Sequence, residues 1–145
     1  MEPLTVPGTL QSLAAIREYV MDAAVAANIE KADAYRLRLS VDEVVTNIVV
    51  HGYEEAGRSG DITICATIDD QALVISVEDS AIPFDPRQIP TPADLDKPLE
   101  ERDIGGLGIF LAIEGVDEFQ YERVNDRNRN TFIVRRKTAA PEKEI

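Results

Sequence analysis

Two short alternating stretches, Ile62 to Ile68 and Leu73 to Asp79, stand on either side of Asp69-Asp70-Gln71. Period-two runs joined by a polar turn form a hairpin with one apolar face, and that face must be buried against another layer. The preceding sequence supplies the layer. Leu10 to Asn28 has helical periodicity, with Leu13, Ile16, Val20 and Ala24 near one face. Asp33 is placed to cap a second helix running to about Tyr53, with Gly52 and Gly57 marking its end. Downstream, the pattern predicts a helix from about Gly108 to Glu114. Two strands follow, near Phe119–Arg123 and Thr131–Arg136, around a turn at Asn125–Asn128. The expected fold is an α/β (α+β) two-layer sandwich, its mixed, mainly antiparallel sheet covered by helices on one face.

A length of 145 residues suits one domain, placed at 1–138 with a frayed tail at 139–145. Residues 82–104 contain prolines at 83, 86, 90, 92 and 98 and have little periodicity, as a functional loop or lid does. No apolar run approaches the roughly 20 residues that span a bilayer, and Met1 to Leu10 lacks the pattern of a secretory leader. A cytoplasmic location without membrane contact is the expectation. The single cysteine, Cys65, excludes an internal disulfide and reads as a small core residue. A net charge of −12, with Arg135-Arg136-Lys137 the one basic cluster, argues against direct nucleic-acid binding. It leaves an anionic nucleotide open, because backbone amides and a metal ion hold phosphates without a basic patch.

Three segments have chemical potential. Glu43, Asn47 and His51 are spaced i, i+4, i+8 and share a helix face among Val44, Val45, Ile48, Val49 and Val50. A carboxamide oxygen suits Mg²⁺, and a carboxylate one turn away can accept a proton. Taken alone, this stripe is better explained as a solvated polar face. Asp79 ends a strand and can accept a hydrogen bond from an exocyclic amino group, or simply form a turn. Gly105-Gly106-Leu107-Gly108 precedes an apolar helix, where backbone amides can face an anion. It is neither a P-loop nor a dinucleotide fingerprint, and alone it fits an ordinary loop-to-helix junction.

The order of these segments carries a resemblance. Leu39 to Tyr53 resembles the N box of the GHKL (Bergerat-fold) ATPases. More closely, it resembles the anti-sigma-factor serine/threonine kinases of the RsbW and SpoIIAB type. Glu78 to Pro86 resembles that branch's G1 box, and Leu99 to Ile109 its lid end and G2 box. Asn130-Thr131 matches the place where the superfamily often sets a threonine near adenine.

The resemblance implies ATP and Mg²⁺ as cofactors. It implies Glu43 as general base, Asn47 as Mg²⁺ ligand and Asp79 as reader of the adenine amino group. The amides of Gly105, Gly106, Leu107 and Gly108 would cradle the phosphates, Arg102 would reach the γ-phosphate, and Thr131 would lie by the base. His51 either lines this site or only ends the helix. Ala81 departs from the superfamily, which has glycine two residues after the G1 aspartate, so an extra methyl stands near the expected base. The implied activity is a protein serine/threonine kinase acting as a partner-switching antagonist. Its substrate would be a STAS-domain anti-anti-sigma protein, its further partner a sigma factor, and its assembly a homodimer. The competing reading is a module that holds a partner in a nucleotide-dependent way without phosphoryl transfer. The ATPase half of a histidine kinase fits less well, since His51, the only histidine, lies inside the N box.

Overall fold

The computed structural model describes residues 1–88 and 112–136. Strands β1 (Leu4–Pro7), β2 (Asp61–Ile68), β3 (Ala72–Asp79), β4 (Glu118–Val124) and β5 (Arg127–Arg135) form one sheet in the order β1-β2-β3-β5-β4. Helices α1 (Leu13–Ala26) and α2 (Lys31–Asn47) cover one face. The two-layer α+β architecture agrees with the expectation from the sequence. Every pairing among the described residues is antiparallel.

The β2–β3 hairpin follows its alternation. Ile62, Ile64 and Ala66 on β2 and Leu73, Ile75 and Val77 on β3 are buried, while the intervening positions are less so. Against them pack Ile16 and Val20 of α1 and Leu37, Val41, Val44 and Val45 of α2. Cys65 is on the other, open face and half-buried, so it is not the core residue expected.

Three features depart from the pattern. Strand β1, absent from the sequence-based reading, is a four-residue edge strand ending at Pro7, whose missing N–H an edge tolerates. It pairs only as far as Ile64, and the Tyr19 hydroxyl takes the Ala66 N–H at 3.0 Å. Helix α2 does not continue regularly to Tyr53. It ends at Asn47 and widens into a π-helical segment, Ile48–Glu54, a form often found at functional sites. Finally, β5 begins at Arg127, not near Thr131. Asn125 and Asp126, with φ of 52° and 64°, form a two-residue turn between Val124 and Arg127. Both central residues at positive φ match the twist of flanking strands, so the hairpin closes tightly. Asn128 is thereby a strand residue opposite Asp79.

Candidate functional site

The inner sheet face changes character along its length. On β5, Val134 and Phe132 are buried core, and the next inward positions are Asn130 and Asn128. On β3, Leu73, Ile75 and Val77 are followed by Asp79. Polar residues at inward positions violate the pattern of a core strand, and such violations concentrate at functional sites. Here they border a cleft of about 410 Å³, partly open to solvent, between this sheet end and the α2/π-helical junction. Its apolar walls include Val44, Ile48, Ile82, Phe84 and Pro86, and Asn47 and His51 stand on its helical side.

Asp79 is fully buried, and its two carboxylate oxygens have different fates. Oδ1 accepts hydrogen bonds from the Ala81 N–H at 2.9 Å and from Asn128 Nδ2 at 2.8 Å. Oδ2 is buried and finds no hydrogen-bond partner among the described residues. Burial pushes the Asp79 pKa above its ordinary value, although the Asn128 amide, the Ala81 N–H, Arg123 and Arg127 pull the other way. A buried acceptor without a donor is uncommon and calls for an explanation.

Asn128 holds this corner together. Its Nδ2 also donates to the Ile82 carbonyl at 2.9 Å. Its Oδ1 accepts from the Tyr121 hydroxyl, from Arg123 Nη1 at 3.2 Å and from the Phe84 N–H at 3.4 Å. One side chain thus ties the carboxylate of β3 to the segment that follows it. Tyr53 does the same from the helical side. Its buried hydroxyl donates to the Asp61 carbonyl at 2.8 Å and accepts the Ser80 N–H at 2.9 Å.

Ala81 is accommodated by a missing side chain. A Cβ added to Gly52, in the π-helical segment, would lie 2.8 Å from the Ala81 Cβ, closer than real Cβ atoms approach. The Ala81 methyl therefore occupies space that any other residue at 52 would claim. Glycine at 52 permits this close approach of helix and strand end.

The structure brings together Asn47, Asp79 and Ala81 in one cleft, with His51 at its edge. The His51 Nδ1 is 2.8 Å from Glu55 Oε1, so this residue both borders the cleft and pairs along the helix. Glu43 is exposed on α2, one turn before Asn47. Thr131 is not brought to the cleft. Side chains alternate along a strand, and Thr131 lines a separate hollow with Arg87, Gln120, Tyr121 and Glu122. Asn130, its neighbour, takes the inward position. Arg102, Gly105, Gly106, Leu107 and Gly108 lie outside the described residues.

Asn128 and Asn130 were missed because Arg127-Asn128-Arg129-Asn130 carries no apolar alternation and reads as a turn. The available signal was Asn125-Asp126, a two-residue turn pair that would have started the strand four residues earlier.

The family described as "Histidine kinase-like ATPase domain" matches residues 6–135. The chain belongs to this family. Membership implies ATP as the ligand, and the cleft suits that ligand's base: apolar walls for a flat ring and two buried acceptors, Asp79 Oδ2 and Asn130 Oδ1, that find no donor among the described residues. Among curated relatives, an anti-sigma F factor of Clostridium acetobutylicum is 32% identical over 105 residues. The match covers 72% of this chain and 69% of the relative. A serine-protein kinase RsbW of Bacillus cereus is 29% identical over 120 residues, covering 81% and 74%. Solved structures support the family's fold. The RsbU and RsbW domains of a Mycobacterium tuberculosis protein align with TM-score 0.58 at 16% identity, over 94% of this chain. This chain spans only 33% of that longer one. The catalytic domain of histidine kinase ThkA aligns with TM-score 0.52 at 16% identity, over 94% of this chain and 98% of that one. No helix among the described residues is long and apolar enough to cross a membrane.

Proposed function

We propose that this chain is an ATP-dependent protein serine/threonine kinase that acts as an anti-sigma-type partner-switching regulator. The observation that carries the nucleotide part is the buried Asp79, with Oδ1 saturated and Oδ2 free in an apolar cleft that also contains Asn47. Such an oxygen is matched to an exocyclic amino group. The kinase part is supported by the relatives, which carry the names anti-sigma F factor and serine-protein kinase.

Asn47 is the proposed Mg²⁺ ligand, since a carboxamide oxygen suits a hard cation. Mg–ATP, when bound, supplies the phosphoryl group and the charge neutralisation that its transfer needs. Glu43, exposed one turn away, is the proposed acceptor of the hydroxyl proton of a serine presented by another protein. Gly105, Gly106, Leu107 and Gly108, with Arg102, are assigned to the phosphates by motif order. The proposed substrate is a STAS-domain anti-anti-sigma protein, and phosphorylation would add charge to its surface and release it. A sigma factor is the proposed alternative partner.

The test is phosphoryl transfer from labelled ATP to the cognate STAS protein. The wild type should yield phosphoserine. Glu43→Gln should lose roughly a hundredfold or more in rate while still binding ATP. ATP binding by the wild type without transfer would replace the kinase reading with the nucleotide-dependent binding module.

A further inference from the structure

Asp79 is not the only unsatisfied acceptor in the cleft. Asn130 is 2% exposed and lines the same cleft, and its Oδ1 is buried with no hydrogen-bond partner among the described residues. In the register of β3 and β5, Asp79 lies opposite Asn128 and Val77 opposite Asn130. Asp79 and Asn130 are therefore diagonal neighbours on one sheet face. Diagonal positions are roughly 7–8 Å apart, a gap that a flat polar group between two side chains can bridge. The apolar walls Val44, Ile48, Ile82, Phe84 and Pro86 offer no side-chain donor to either oxygen.

We propose that Asn130 is a second base-reading residue, so that the cleft selects a purine carrying a 6-amino group with both hydrogens free. This rests on the nucleotide reading above. An exocyclic amino group has two N–H donors, and the cleft offers two unpaired oxygens. One hydrogen goes to Asp79 Oδ2 and the other to Asn130 Oδ1. The Asn130 Nδ2 is then turned toward a ring nitrogen beside the amino group. This is the two-point pairing by which a carboxamide recognises the amino edge of adenine. A 6-oxo purine would place an oxygen against two oxygens and be rejected. Thr131, one residue on, contributes nothing to this selection, because it faces the opposite side of the sheet.

Equilibrium titrations with ATP, N6-methyl-ATP and purine riboside triphosphate, which lacks the amino group, test the assignment. N6-methyl-ATP keeps one N–H, so the unaltered protein should prefer ATP to it by roughly tenfold, the worth of one recognition contact. Asn130→Leu keeps the bulk of the side chain but removes its oxygen. A purely steric penalty on the methyl would persist in this variant, whereas a hydrogen-bond penalty disappears, so the preference for ATP should shrink toward one. The preference over purine riboside triphosphate should fall by a similar factor. Asn130→Thr, too short to reach, should behave like the leucine variant. The melting temperature of nucleotide-free Asn130→Leu should be unchanged or higher, since a buried unpaired oxygen is removed. Undiminished preferences in both variants overturn the proposal while leaving ATP binding intact. Failure of the unaltered protein to bind ATP at all would remove the nucleotide reading first, and this inference with it.

Discussion

The two ends of one sheet face are built by opposite rules. At one end Leu73, Ile75, Phe132 and Val134 meet the helices as a dry core, with Phe119 set edge-on against Phe132 at a centroid distance of 5.2 Å. At the other, Asp79, Asn128 and Asn130 hold equivalent inward positions on the same strands. The first end is organised for burial. The second leaves two oxygens unpaired and a carboxylate in a poorly solvated site. The contrast teaches that folding is driven from the apolar end, which holds the polar end in an arrangement it would not adopt alone.

Removing packing at the dry end should have the largest effect on stability. Phe132→Ala is expected to cost about 3–5 kcal/mol in urea denaturation. The fraction that remains folded should still bind ATP with near-normal affinity. Asn128→Ala comes next, at about 2–3 kcal/mol, because it strands the Ile82 carbonyl and deprives Asp79 of a donor. Unlike the core change, it should also weaken ATP binding, read by calorimetric titration. An Asn128 variant that loses stability alone would erase the distinction between the two ends.

How far the sequence reveals each end follows the same division. The β2–β3 hairpin was legible because hydrophobic alternation reports burial, and burial is what those residues do. Glu43, Asn47 and Asp79 were legible only through the order of their motifs, since each alone suits a solvated face or a turn. Asn128 and Asn130 were hidden because polar inward residues erase the alternation that marks a strand. The motif match also put Thr131 by the base, whereas strand alternation gives the inward place to Asn130. Nothing in the local sequence joins Gly52 to Ala81, a contact created by tertiary packing.

That contact gives a smaller effect with a clear sign. Gly52→Ala should destabilise the protein and weaken nucleotide binding, because its new methyl collides with Ala81. Adding Ala81→Gly should restore both. A double-mutant cycle by thermal denaturation should show a coupling of about 1–2 kcal/mol. Additive single effects would mean that the two positions do not share space.

The smallest effect on stability runs in the opposite direction. The Asp79 pKa is raised in the folded state, so the fold holds that proton more tightly than the unfolded chain does. Stability of the nucleotide-free protein should therefore fall as pH rises from the ordinary carboxylate range through the folded value, then level off. Asp79→Asn should lack this decline and be more stable at neutral pH. ATP binding should follow the reverse course and weaken in acid, as the proton occupies the oxygen meant for the amino group.

The central claim is that Asp79 is kept at a cost to the fold because it reads a nucleotide. Calorimetric titration of the wild type and Asp79→Asn with ATP in the presence of Mg²⁺ tests it most directly. The wild type should bind, and the variant, with an equal or higher melting temperature, should show no binding, since its amide hydrogens face the amino donor. Wild-type affinity in the folded variant would contradict the account.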